Sequence, residues 1–100
     1  MIIDHRTYNI IPRKTPEYMK LFKELCVPIN RKYFGPEVGI FLTEVGPQNQ
    51  LTHMWQYESY EDFEAKRKAR DADPDWGKYL KATEGFLISQ ETKLIREVKV

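Results

Sequence analysis

The chain has 100 residues, of which 41% are hydrophobic and 31% charged, and its formal net charge is +1. That length supports a single domain, residues 1–100, with one modest core. The near-neutral charge gives no electrostatic case for nucleic acid or an anionic membrane surface, both of which need concentrated positive charge, and no apolar run approaches the roughly 20 residues that span a bilayer.

Ile2 to Ile11 is rich in β-branched and aromatic residues and reads as a strand, broken by Pro12. Thr15-Pro16-Glu17 reads as a helix start: a cap residue, a proline in the first turn, then an acid near the positive helix end. Tyr18, Leu21, Phe22 and Leu25 follow as one apolar stripe. Pro28 ends or kinks that helix, and Ile29 to Phe34 continues as a short helical turn until Gly35-Pro36. Val38 to Val45 is nearly apolar throughout, which predicts a strand covered on both sides.

The cluster Gly46-Pro47-Gln48-Asn49 is a turn, and Leu51 to Tyr57 is the third strand, so these two strands form an antiparallel hairpin. Ser59-Tyr60-Glu61-Asp62 fits a capping pattern for a second helix, supported by the pairs Asp62/Lys66 and Glu64/Lys68. Asp73-Pro74 restarts the chain as a short third helix with Trp76, Tyr79 and Leu80 as its apolar stripe. Gly85 stops it, and Phe86 to about Ile95 is the fourth strand. The order β-α-β-β-α-β is the split β-α-β pattern of a ferredoxin-like α+β fold, with strands one and three adjacent at the sheet centre.

Within the third strand, His53, Trp55 and Tyr57 stand in a row beside Leu51, because alternate strand residues share a face. A titratable imidazole, an indole donor and a phenol suggest the wall of a small-molecule pocket. His53 is the candidate proton donor or acceptor. The competing reading is a half-buried histidine bonded to a neighbour. Arg6 and Tyr8 share a face of the first strand with Asp4. Arg6 either holds an anionic ligand oxygen or forms a structural pair with Asp4 or Glu44, and the residues favour the pair. Asn49 reads as a turn residue bonded to its own backbone. Glu44 reaches either a pocket or a partner subunit.

A metal site would need His5, His53 and a carboxylate to converge, and no ligand spacing supports that. No cofactor motif, phosphate loop or nucleophile elbow is present. Cys26 is the one cysteine, so no intramolecular disulfide forms and a reducing, cytoplasmic setting fits. It packs as a small apolar residue. The opening Met1-Ile2-Ile3-Asp4-His5-Arg6 turns charged at once and is unlike a signal peptide. Lys66, Arg67, Lys68 and Arg70 interleave with Glu61, Asp62 and Glu64 and read as a solvated helix face.

Four ordered segments also resemble the NIPSNAP family. Asp4-His5-Arg6-Thr7-Tyr8 is similar to its acid-x-Arg-Thr-Tyr start. Gly39-Ile40-Phe41-Leu42-Thr43-Glu44-Val45-Gly46-Pro47-Gln48-Asn49-Gln50 resembles its Gly-x-Phe-x-Thr-Glu-x-Gly-x-x-Asn core. His53-Met54-Trp55-Gln56-Tyr57-Glu58-Ser59 and Asp73-Pro74-Asp75-Trp76 resemble its His-x-Trp-x-Tyr-x-Ser and Asp-Pro-x-Trp segments. The resemblance implies a homodimeric α/β barrel, related in fold to small monooxygenases, and a family without a settled activity. It carries no chemistry by itself.

Two functions follow from these readings. One is a small organic ligand held by Arg6, Tyr8, Glu44, Trp55 and Tyr57, with cofactor-independent monooxygenase- or isomerase-like chemistry at His53. The other is a non-catalytic, dimeric interaction module.

Overall fold

The split β-α-β order is the order observed. A computed structural model describes residues 1–100 as β1 (Ile2–Ile10), α1 (Thr15–Leu21), a π-helical turn (Phe22–Cys26), α2 (Val27–Phe34), β2 (Gly39–Leu42), β3 (Gln50–Tyr57), α3 (Tyr60–Asp71), α4 (Pro74–Ala82) and β4 (Leu87–Ile95). The four strands form one antiparallel sheet in the order β2-β3-β1-β4. β1 and β3 hold its centre, as the sequence predicts. The fold is α+β and ferredoxin-like.

The first helical region corrects two expectations. Thr15 does not cap it: Lys14 takes the N-cap position without a side-chain bond. Thr15 Oγ1 instead donates to Asn49 Oδ1 at 2.8 Å, tying the helix start to the β2–β3 turn. Asn49 has φ 60°, a left-handed conformation that its short polar side chain tolerates. Its side chain therefore reaches Thr15 rather than its own backbone. At Pro28, where an end or a kink was expected, the chain does not end its helical run, and the expected continuation to Phe34 is present. A proline lacks the N–H for the i−4 carbonyl and its ring crowds that carbonyl. The π-helical turn just before it widens the backbone, and α2 runs on with Pro28 in its first turn. Gly35, at φ 84°, stops it.

β2 is shorter than the predicted Val38–Val45 and is not covered on both sides. It is an edge strand paired only with β3, and Phe41 is 54% exposed. Strand side chains point to the two sheet faces, and at this edge both stay open, with Phe41 on one face and Leu42 on the other exposed. α3 begins as predicted: Ser59 Oγ accepts from Asp62 N at 3.1 Å, and Asp62 Oδ2 accepts from Glu58 N at 3.0 Å. The Asp62–Lys66 pair closes at 3.1 Å. Glu64 and Lys68 form no ion pair; Glu64 lies beside Tyr60 and raises its pKa.

The helices cover one face of the sheet. Alternation puts Asp4, Tyr8 and Ile10 of β1, and Leu51, His53, Trp55 and Tyr57 of β3, on that face, all buried. Tyr8, Ile10, Tyr18, Phe22, Cys26 and Leu51 belong to the larger core cluster, and Phe34, Trp55 and Tyr57 form a smaller one under α2 and α3. On the other face, Ile3, His5, Thr52 and Met54 remain half-buried. The helices also leave β4 largely uncovered, and every residue from Ile88 to Ile95 is exposed. That gap shapes the site.

Candidate functional site

The predicted row on β3 exists, and its first member with chemistry is His53, 2% exposed. The Trp55 Nε1–H donates to His53 Nδ1 at 2.9 Å. The Nδ1 lone pair is thus taken, and the proton of the neutral ring sits on Nε2. Tyr8 and Phe22 hold the imidazole edge-on, with ring centroids 4.7 and 5.0 Å away. Burial, then the Arg6, Arg67 and Arg70 charges, push the His53 pKa down from 6.5 to about 3. His53 is therefore neutral near pH 7 and is not poised as a base. It offers one fixed N–H donor, and Nε2 finds no acceptor within the protein.

The β1–β3 register sets Asp4 opposite Trp55, Arg6 opposite His53 and Tyr8 opposite Leu51. Asp4 is fully buried and accepts from Arg6 Nε at 3.1 and 3.2 Å and from Arg67 Nη1 at 3.4 Å. A buried carboxylate requires such partners, since an unpaired charge in a low-dielectric interior costs several kcal/mol (about that order). The Arg6–Asp4 pair favoured from the sequence is thus formed. It runs through Arg6 Nε alone. The Arg6 side chain still walls the open cleft beside it. Glu44 lies elsewhere, exposed in the β2–β3 connection.

Two site residues escaped the sequence reading. Arg67 and Arg70 of α3 read as part of a solvated basic face, yet both turn inward. Arg70 is 3% exposed; its guanidinium donates from Nη1 to Asn30 Oδ1 and from Nε to Asp71 Oδ1, both at 2.9 Å. The same group lies 3.5 Å from the Trp76 ring centroid and 5.1 Å from that of Phe34. A signal existed. α3 has few apolar residues, and Phe63, Arg67 and Arg70 are spaced i, i+4, i+7, the one stripe available to face the sheet. Guanidiniums occupy it because Asp4, Asn30 and Trp76 satisfy them.

These side chains wall two spaces that share five lining residues. The outer one is a cleft of about 350 Å³. Its floor is Arg6 and Tyr8 of β1, one wall is Arg67, Arg70 and Asp71 of α3, and another is Trp76, Tyr79 and Leu80 of α4. Leu87 and Gln90 of β4 complete it where no helix covers the sheet. Beneath it lies a recess of about 10 Å³ that shares Arg6, Tyr8, Arg67, Arg70 and Trp76 and adds His53, Trp55 and Asn30. Three guanidiniums face two carboxylates here, Asp4 and Asp71.

The row is therefore divided. His53 and Trp55 border the recess, whereas Tyr57 packs against Phe34 and Phe63 and lines neither space. The Tyr57 hydroxyl is buried without a partner, and burial, with Asp4 adding to it, raises its pKa to about 12. His5 sits on the opposite sheet face from His53, because the two residues alternate oppositely across the register. No group of three metal-ligating side chains converges. Cys26 packs in the larger core, where burial raises its thiol pKa to about 12.

The NIPSNAP family model matches residues 3–100. The Protein NipSnap homolog of Dictyostelium discoideum is 37% identical over 95 residues, which cover 95% of this chain and 42% of that protein. Protein NipSnap homolog 3B of Mus musculus is 30% identical over 93 residues, covering 91% of this chain and 37% of that one. The chain thus spans about two-fifths of the length of these curated relatives. Among solved structures, a nipsnap family protein with unknown function from Agrobacterium tumefaciens superposes with a TM-score of 0.93 at 28% identity, covering 99% of this chain and 89% of that chain. An antibiotic biosynthesis monooxygenase superposes with a TM-score of 0.73 at 14% identity, covering 99% and 100%, and this likeness is one of fold.

Proposed function

The chain belongs to the NIPSNAP family, and we propose that it binds a small organic anion in the cleft between the sheet and α3–α4. The observation that carries this reading is the set Arg6, Arg67 and Arg70 on a cleft of about 350 Å³, large enough for a one-ring ligand. Three guanidiniums against Asp71 on the wall and Asp4 behind it leave a net single positive charge at the site. Trp76, Leu80 and Leu87 supply an apolar wall for the rest of the ligand.

Chemistry of a cofactor-independent monooxygenase or isomerase kind belongs to this proposal. In it His53 acts as a hydrogen-bond donor that polarises a carbonyl, the role a neutral imidazole can play. A cytoplasmic setting is part of the same reading, supported by the single buried cysteine. No helix is long and apolar enough to cross a membrane.

Titration calorimetry with phenylacetate tests the cleft. The full chain should bind it, and Arg67→Ala should weaken binding by about tenfold or more, the value of one charge-assisted contact. Absence of binding to phenylacetate and to other aryl anions would end this reading.

A second reading concerns assembly. The sheet face opposite the helices carries half-buried Ile3, Thr52 and Met54, with Phe41 exposed beside them, and no layer covers it. We infer that a second copy covers that face, as the resemblance to dimeric α/β barrels implies. Sedimentation should show a dimer for the native chain and a monomer for Phe41→Glu.

A further inference from the structure

The recess beneath the cleft is too small for a ligand and large enough for one atom. A space of about 10 Å³ corresponds to roughly one water-sized sphere. Its lining is unusually rich in donors for so small a space: Arg6, Arg67, Arg70, Asn30 and His53 all border it. His53 is the telling member. Its Nδ1 is engaged by Trp55, its ring is fixed between Tyr8 and Phe22, and its buried Nε2 has no acceptor in the protein. A buried donor left unpaired costs free energy, and unlike the Tyr57 hydroxyl, which lines neither space, the His53 donor belongs to a residue bordering a recess that can seat an acceptor atom.

We propose that the recess seats a single oxygen of a planar carboxylate or enolate head group, which accepts from His53 Nε2–H, while the remainder of the ligand occupies the cleft. This rests on the cleft reading above and adds the class of head group to it. A carboxylate presents one oxygen inward and leaves the other for Arg67 on the cleft wall. A phosphonate is tetrahedral and carries three oxygens on phosphorus. It cannot place one oxygen in a one-atom recess without pressing the others against Tyr8 and Trp76, which flank both spaces. The Trp55–His53 bond makes the donor permanent, because it fixes the tautomer whichever ligand arrives.

Phenylacetate and benzylphosphonate carry the same aryl group on different heads and serve as the probes. Both are titrated into the full chain labelled with ¹⁵N-histidine, with affinities measured by calorimetry. Phenylacetate is expected to bind about tenfold tighter, despite its smaller charge, and to shift the His53 Nε2–H resonance. Benzylphosphonate is expected to leave that resonance in place. In His53→Phe the preference for the carboxylate should fall to near unity, and His53→Gln, which keeps an N–H donor, should restore part of it. The native-chain resonance test stands even if His53→Phe fails to fold. Equal affinities with an unmoved His53 resonance overturn the recess proposal and leave the cleft reading intact. So does tighter binding of the phosphonate. Binding of neither anion overturns both.

Discussion

Replacing His53 with glutamine should flatten the dependence of stability on pH in acid, and the size of the change follows from the site. His53 is 2% exposed, and its pKa falls from 6.5 to about 3 in the folded chain. The cause is burial first, reinforced by Arg6, Arg67, Arg70 and His5. A histidine whose folded pKa is depressed stabilises the fold while neutral. That stability is fully present above the unfolded pKa. It is lost as pH falls below about 6.5, because the unfolded chain takes a proton that the folded chain refuses. The slope approaches about 1.4 kcal/mol per pH unit, and between about pH 6 and about pH 4 the loss integrates to about 2.5 kcal/mol. Carboxylates with depressed pKa values, such as Asp62 and Asp73, add slopes of the same sign. They are common to both proteins, so the difference between the native chain and His53→Gln isolates the imidazole. Glutamine retains an oxygen that can accept the Trp55 Nε1–H. Urea unfolding at a series of pH values gives both curves. Native stability should fall about 2.5 kcal/mol further than that of the variant over this range. Parallel curves would refute the reasoning, since they would mean that His53 titrates alike in folded and unfolded chains.

Trp55→Phe removes the donor to His53 Nδ1 and leaves a buried acceptor unpaired, which should cost about 1–3 kcal/mol and let the second imidazole tautomer appear in long-range ¹H–¹⁵N spectra. Arg70→Lys keeps the charge but loses the fork to Asn30 and Asp71 and the stack on Trp76. A loss of about 1–3 kcal/mol in denaturant unfolding is expected, and an unchanged midpoint would show that charge alone matters there. Asn49→Ala should cost about 2–3 kcal/mol, from left-handed strain and the lost Thr15 bond together, whereas Asn49→Gly should recover the strain part in thermal unfolding.

Much of the architecture was legible because it depends on local rules. The alternation in Leu51–Tyr57 and the Ser59 and Asp73 caps are set by side chains acting on their own backbone or on adjacent residues, whereas α4 ends at Ala82, short of the stop expected at Gly85. The errors fall where distant segments decide. Thr15 had a local role open to it as a cap, but Asn49 offered a partner from another turn. Val38–Val45 had the composition of a buried strand but took the edge of the sheet. Arg67 and Arg70 carry the same charge as Lys66 and Lys68. Only the helical phase, read against a sheet that presents Asp4, separates the inward pair from the outward one.

By itself the sequence determined the element order, the family resemblance and the row from Leu51 to Tyr57, because these rest on periodicity and on residues close in the chain. The tertiary structure decided which part of the row borders a cavity. It put His53 and Trp55 beside a recess and Tyr57 in packing, brought three guanidiniums from β1 and α3 to one cleft, and turned His53 from a candidate base into a fixed donor. The physical reason is that burial and neighbouring charge set a protonation state, and both are properties of what surrounds a residue in space.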